Sequence, residues 1–284
     1  MSIRTIIDKK QVDAAVQRAE RLNITGADFL LTRILEDLKD RLDITNRKFK
    51  SGRFVSMYPS FVRAHFDDQK TLQISAAMDD VQLRHGDILG LDAQSEDLII
   101  DVASLHQAND MPGMLIQYCR ALKPDGLFLA CVPGGDTLTE LRQSLFAAES
   151  KISGGVRPRV LPFMDVRDAG GLLQRAGFAL PVTDIDSVVV RYDTMLDLML
   201  DLRAMGATNT LVERQKSLSR RDLFHNAAQH YAENFADSDG RIRATFSFIW
   251  MSGWAPDASQ SQPLKPGSAT QSLAKVLKDR TANS

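Results

Sequence analysis

The sequence predicts an α/β protein with a mainly parallel sheet covered by helices on both faces. Three observations carry this. Leu98-Ile99-Ile100 and Leu127 to Val132 are apolar at nearly every position, as expected of parallel strands with both faces buried. Between them, Met111, Met114, Leu115, Tyr118 and Leu122 recur at helical spacing, which makes one strand–helix–strand unit. The length of 284 residues suits one elaborated α/β domain, or one domain with an insertion.

The elements follow in order. Val12 to Leu22 and Asp28 to Leu42 predict two helices. Leu31, Ile34, Leu35, Leu38 and Leu42 line one face of the second, and Asp28 suits its N-cap. Arg53 to Phe66 opens the sheet, followed by strands at Thr71–Ile74 and around Val81–Leu83. Asp110 and Pro112 open the central helix, with Asn109 and Asp110 expected as caps, and Lys123-Pro124-Asp125-Gly126 is the turn that stops it. Thr137-x-x-Glu140 reads as a capping box for a helix through Glu149. Lys151 to Pro162 is a loop, Asp165 to Ala176 a helix stopped by Gly177, and Val182 to Val190 a strand. Arg191 to Gly240 reads as a helical insertion with capping boxes at Thr194-x-x-Asp197 and Ser219-x-x-Asp222. Arg241 to Trp254 is the last strand, with Ala244, Phe246, Phe248 and Trp250 on one face. Residues rich in Ser, Gln and Pro follow, with a short helix expected at Ser272–Lys278. The expected division is N-terminal helices at 1–50, the sheet domain at 51–254 with its insertion at 191–240, and a mostly flexible tail at 255–284.

A formal charge of −1 gives no support to a general nucleic-acid or membrane-surface role. No apolar run reaches the length of a membrane-spanning helix, and the start lacks a signal-peptide core. A bacterial cytoplasmic protein is the expectation, with a processed mitochondrial form as the less favoured one. Cys119 and Cys131 lack metal-site spacing and read as small buried residues of a reducing compartment. The five histidines form no H-E-x-x-H motif, so no metal is expected.

The block from Asp97 to Arg142 carries a family resemblance. D-L-I-I-D-V-A-S-L-H-Q-A-N-D and L-K-P-D-G resemble class I S-adenosylmethionine-dependent methyltransferases. Gly134-Gly135-Asp136-Thr137-Leu138 with Glu140-Leu141-Arg142 is narrower, and is similar to the methyltransferase-type assembly factor of mitochondrial complex I and its bacterial relatives. Pro162-Phe163, Leu172 to Phe178, Met199 to Gly206, Asn209 and Gly253-Trp254 extend the likeness. The resemblance implies a seven-stranded, mainly parallel Rossmann-like sheet with N-terminal helices and a helical insertion before the last strand. It implies S-adenosylmethionine as cofactor, near Asp87, Ile88, Ser104 and His106. It also implies a protein client, a respiratory complex I subunit among the candidates, and the mitochondrial branch is associated with arginine hydroxylation of such a subunit.

The cofactor end departs from that pattern. Class I enzymes need a glycine-rich turn after the first strand, where a Cβ would meet the ligand. Here Ser56-Met57-Tyr58-Pro59-Ser60 stands in its place, and Ser75-Ala76 stands where a ribose-binding acid is expected. Only Gly86-Asp87-Ile88 survives. Two readings stay open: a decayed site kept for protein binding, or an altered pocket that binds the cofactor weakly or binds something else. His106 is the one candidate general base, set against an ordinary loop histidine. Gly134, Gly135, Asp136, Arg142, Arg157 and Arg159 are the expected client contacts, past a strand's carboxyl end where α/β sheets bind ligands. The alternative function is an active methyltransferase of a small-molecule or carrier-protein substrate, like the biotin-pathway enzyme.

Overall fold

The computed structural model describes residues 5–67, 79–81, 87–153 and 155–260. Helices α1 (Lys9–Leu22) and α2 (Phe29–Ile44) precede strand β1 (Gly52–Ser56), helix α3 (Pro59–Asp67) and strand β2 (Asp79–Val81). Strand β3 (Glu96–Val102) leads through a 3-10 turn at Leu105–Gln107 into α4 (Met111–Ala121) and β4 (Leu122–Pro133). Then come α5 (Thr139–Ser153), α6 (Val166–Ala176), β5 (Ala179–Tyr192), α7 (Met195–Ala204), α8 (Arg221–Phe235) and β6 (Ile242–Trp254).

The described strands form one six-stranded sheet in the order β2-β1-β3-β4-β6-β5. β1 pairs in parallel with β2 and β3, and β3 with β4. β6 wedges between β4 and β5, antiparallel to both, so it is the one reversed strand and β5 runs with the rest. The sheet is therefore mixed, with its first four strands parallel. The expected strand at Thr71–Ile74, Ser75-Ala76, Gly86, Gly154 and the helix at Ser272–Lys278 lie outside the described residues. β2 begins two residues ahead of the strand expected around Val81–Leu83.

Alternation along the strands builds two cores. Leu98, Ile100 and Val102 of β3 join Leu129, Phe246 and Trp250 in the core beneath α2, α3, α5, α7 and α8. Ile99, Phe128, Ala130 and Met251 face the other way, beneath α4 and α6. The strand period of two sends neighbours to opposite faces, and helices on both sides keep the middle of β3 and β4 apolar at successive positions. Gly177 ends α6 at φ 92, and the Gly177 and Phe178 N–H groups satisfy the last carbonyls.

Three capping assignments are corrected. Helix α5 opens at Thr139, so Thr137 and Glu140 do not form a capping box. Thr137 Oγ1 instead donates to Ser247 O and accepts from Ser247 N, while the Glu140 carboxylate takes the N–H and hydroxyl of Thr245. Thr137 clamps the loop after β4 to β6 and Glu140 the first turn of α5, a non-local use that the local pattern does not reveal. Ser219 does not cap α8, because Arg220 holds the N-cap position and Ser219 Oγ accepts from Arg159. Asp110 caps α4 through the Gly113 N–H, but Asn109 turns away from that helix.

Candidate functional site

A cavity of about 1110 Å³ opens at the carboxyl ends of β1, β3 and β4. Met57, Tyr58 and Phe61 line it after β1, His106 and Gln107 after β3, and Thr137 and Leu138 after β4. Helices α1, α2 and α7 close it from the side, and Phe246 and Phe248 of β6 form part of the wall. This is the edge of an open α/β sheet where ligands sit.

The N-terminus straps across the β3 end. Asn109 Oδ1 accepts the N–H groups of Ile6 and Ile7, and its Nδ2 donates to Ile7 O. Asp8 N donates to Thr210 O and Val212 N to Ile6 O, so the segment lies between the β3 loop and the chain after α7. Lys9 Nζ pairs with Asp87 Oδ1 at 2.5 Å and donates to Gln107 O. Sequence reading missed this strap, since its partners lie about a hundred positions away.

The four residues expected around a cofactor differ in their surroundings. Asp87 is buried, accepts from Asn109 N at 2.6 Å and Asp110 N at 2.9 Å, and pairs with Lys9. Ile88 is exposed and does not line the cavity. Ser104 is buried and gives its hydroxyl to Asp101. Of the four, only His106 lines the cavity.

Asp101 is fully buried and accepts four hydrogen bonds, from Ser104 N, Ser104 Oγ, Leu105 N and the Tyr118 hydroxyl. Burial pushes its pKa up despite those bonds. It braces the turn after β3 against α4. His106 stacks at an angle on Phe163, 6.2 Å between centroids. Burial, and secondarily the nearby Lys9 charge, push its pKa down to about 4, so the ring is neutral near pH 7. Tyr58 crosses the cavity rim, its hydroxyl donating to Met205 O at 2.7 Å. Burial, with Glu20 second, pushes the Tyr58 hydroxyl up to about 12.

The expected client contacts divide. Gly134 is buried, with its N–H on Ser247 O, and a Cβ there would meet Ile249 Cγ1 and Ser247 Oγ at 3.0 Å. Gly135 is partly buried, and Asp136 is exposed and does not line the cavity. Arg142 folds back onto Thr137 O at 3.0 Å and Gly135 O at 3.4 Å, so it holds the loop's own carbonyls. Arg157 is exposed, with its backbone N–H on Glu149. Arg159 lines the cavity, bonded to Glu149, Gln215 and Ser219. Burial pushes the Glu149 carboxyl up, but the Arg159 guanidinium and the Arg157 N–H outweigh it and hold the pKa below the usual range.

Among the described residues no group of His, Cys, Asp and Glu is placed to hold a metal ion, and no helix is long and apolar enough to cross a membrane.

Comparison with known proteins adds to this geometry. No family model matches the chain. It is 44% identical over 182 residues to the mitochondrial arginine-hydroxylase NDUFAF5 of Danio rerio, covering 64% of this chain and 56% of that protein. It is 43% identical over 182 residues to the Homo sapiens protein of the same name, covering 64% of this chain and 52% of that one. The matched stretch thus spans about half the length of these relatives. A malonyl-[acyl-carrier protein] O-methyltransferase of Laribacter hongkongensis is 30% identical over 242 residues, covering 85% of this chain and 76% of that enzyme. Among solved structures, the YcgJ protein of Bacillus subtilis superposes with a TM-score of 0.50 at 11% identity, over 78% of this chain and 98% of that one. At that identity the likeness shows the fold alone.

Proposed function

The chain belongs to the class I S-adenosylmethionine-dependent methyltransferase superfamily, and on that premise we propose that it acts on a protein client as a complex I assembly factor. The observation that supports this reading is the 44% identity to an arginine-hydroxylase NDUFAF5, together with the Gly134–Arg142 motif at the open end of β4. The exposed Asp136 and Arg157 supply a client-facing rim. In cells that depend on the protein, deleting the gene is expected to lower membrane NADH dehydrogenase activity. Unchanged complex I level and activity would overturn the reading.

The second part of the reading is that S-adenosylmethionine is not held in the ordinary way. Three observations support it. Between β1 and α3 the chain has Met57-Tyr58 in place of glycines, and the Tyr58 side chain is fixed across the rim by Met205 O. Asp87 is already engaged by Lys9 and two backbone N–H groups. Ser104 is engaged by Asp101. Residues that would receive the ligand are thus filled or already satisfied within the chain. A dissociation constant above roughly 1 mM is expected by titration calorimetry.

A carrier-protein methyltransferase is the second reading, favoured by the match that covers 85% of this chain. It requires saturable micromolar binding of S-adenosylmethionine, so the same titration separates the two.

A further inference from the structure

The 1110 Å³ cavity has a wall with unmet donors. Three lining side chains keep a buried polar atom without a partner among the described residues: His106 Nδ1, Arg159 Nε and Thr208 Oγ1. The Arg159 Nε–H can only donate, and the Thr208 hydroxyl has a proton to give. The state of His106 follows from its neighbours. With Gln107 Oε1 accepting from the Thr210 hydroxyl at 2.8 Å, the assigned amide orientation sets Gln107 Nε2 against His106 Nε2, 3.0 Å away. In that orientation the amide NH₂ donates, His106 Nε2 is the unprotonated nitrogen and the proton of the neutral ring sits on Nδ1. All three unmet atoms are therefore donors.

Buried donors in native proteins are nearly always satisfied, and three on one cavity wall call for a shared acceptor. Much of the remaining wall is apolar, including Leu31, Ile34, Phe61, Leu138, Met199 and Phe246. Two of the lining cations are compensated, Arg159 by Glu149 and Arg214 by Asp8, while Arg203 lines the cavity with no ion pair among the described residues. The wall thus asks for hydrogen-bond acceptance, with or without a negative charge.

We propose that this cavity binds a small molecule with an apolar chain and a head that accepts hydrogen bonds without donating them, of the carboxylate or ester class. The three donor atoms are buried, so the head group reaches them by displacing what lies over them. Nothing in this inference rests on the protein-client reading.

The test is calorimetric titration of the full chain with decanoate, methyl decanoate and decylamine. The first two accept at the head, and the ammonium of the third only donates. Saturable binding of decanoate or its ester is expected, with none for decylamine. Thr208→Val is expected to weaken binding by at least about threefold, while Thr208→Ser, which keeps the hydroxyl, stays within about twofold. Leu31→Trp, placed to fill the apolar end, is expected to abolish it. Preference for decanoate assigns the head to a lining guanidinium, Arg159 or Arg203, and equal binding of the ester assigns it to the neutral donors. The proposal is overturned if decylamine binds as tightly as decanoate, if neither acceptor binds, or if a folded Thr208→Val is unchanged. If Thr208→Val does not fold, the Leu31→Trp and Thr208→Ser results decide alone. S-Adenosylmethionine titrated separately decides the cofactor reading whichever way decanoate falls.

Discussion

Lys9 Nζ lies 2.5 Å from Asp87 Oδ1, tying the first turn of α1 to the loop ahead of β3. Asp87 is the acid that family resemblance sets beside a cofactor's adenine, and here it meets an ammonium from the chain's own N-terminus. With Asn109 holding Ile6 and Ile7, the contact makes a strap over the carboxyl edge of the sheet.

Removing the ammonium leaves a buried carboxylate held only by two backbone N–H groups. Lys9→Met is therefore expected to destabilise the fold by about 2 kcal/mol, below the cost of breaking a fully buried pair because Lys9 keeps some solvent contact. Chemical denaturation of the variant measures this. A loss of under about 0.5 kcal/mol would show the pair to be an ordinary surface contact.

His106 gives a pH prediction with a definite sign. Its folded pKa is depressed to about 4, below the ordinary 6.5. As pH falls below 6.5 the unfolded chain takes up this proton first. The stability linked to the neutral ring is thus present above pH 6.5 and lost as pH falls toward 4. In NMR the His106 ring resonances, assigned by loss in His106→Gln, are expected to stay flat from pH 8 to 5. The wild type should lose stability relative to His106→Gln over that fall, on the order of 1–2 kcal/mol since the ring keeps some exposure to the cavity. A His106 midpoint near 6.5 would overturn the burial argument.

The fold was legible where the signal is local. Leu98-Ile99-Ile100 and Leu127–Val132 announce doubly covered strands, and Asp110 and Gly177 mark helix ends that the structure keeps. The site was less legible because its contacts are long-range. Thr137 and Glu140 match a capping box residue for residue, yet their partners are Ser247 and Thr245 on β6. Asn109 looks like a cap and instead binds Ile6 and Ile7. Arg159 was legible as a loop cation, but its place in the cavity depends on Glu149, Gln215 and Ser219 together. Thr208 carries no local signal at all.

Gly206 and Tyr58 are coupled across the cavity rim. Gly206 sits at φ +71, and a Cβ on it would lie 2.1 Å from the Tyr58 hydroxyl oxygen. Gly206→Ala therefore meets both an unfavourable backbone conformation and a clash, with an expected loss of about 2–4 kcal/mol. Tyr58→Phe alone loses the bond to Met205 O, about 1 kcal/mol. In the double variant the clashing oxygen is gone, so the combined loss should fall short of the sum by about 1 kcal/mol or more. Strict additivity in denaturation measurements would show that Tyr58 moves aside freely.

The client reading predicts a division among four rim residues. Asp136 and Arg157 are exposed, so Asp136→Ala and Arg157→Ala are expected to change stability by less than about 0.5 kcal/mol. Arg142 holds the Gly135 and Thr137 carbonyls, and Arg159 is bonded to Glu149 at 2.8 Å. Alanine at either is expected to lower stability, by about 1 kcal/mol at Arg142 and more at Arg159, whose loss strands a buried Glu149. Reduced complex I activity in Arg142→Ala or Arg159→Ala cells would therefore mix folding with contact. The informative pair is Asp136→Ala with Arg157→Ala. Expressed at wild-type level in a deletion strain, the double variant is expected to restore membrane NADH dehydrogenase activity only in part. Charge reversal, Arg157→Glu, should restore less than Arg157→Ala, because a partner carboxylate is then repelled and not merely left unpaired. Full restoration by both variants would remove this rim from the client surface and leave the cavity as the site to examine.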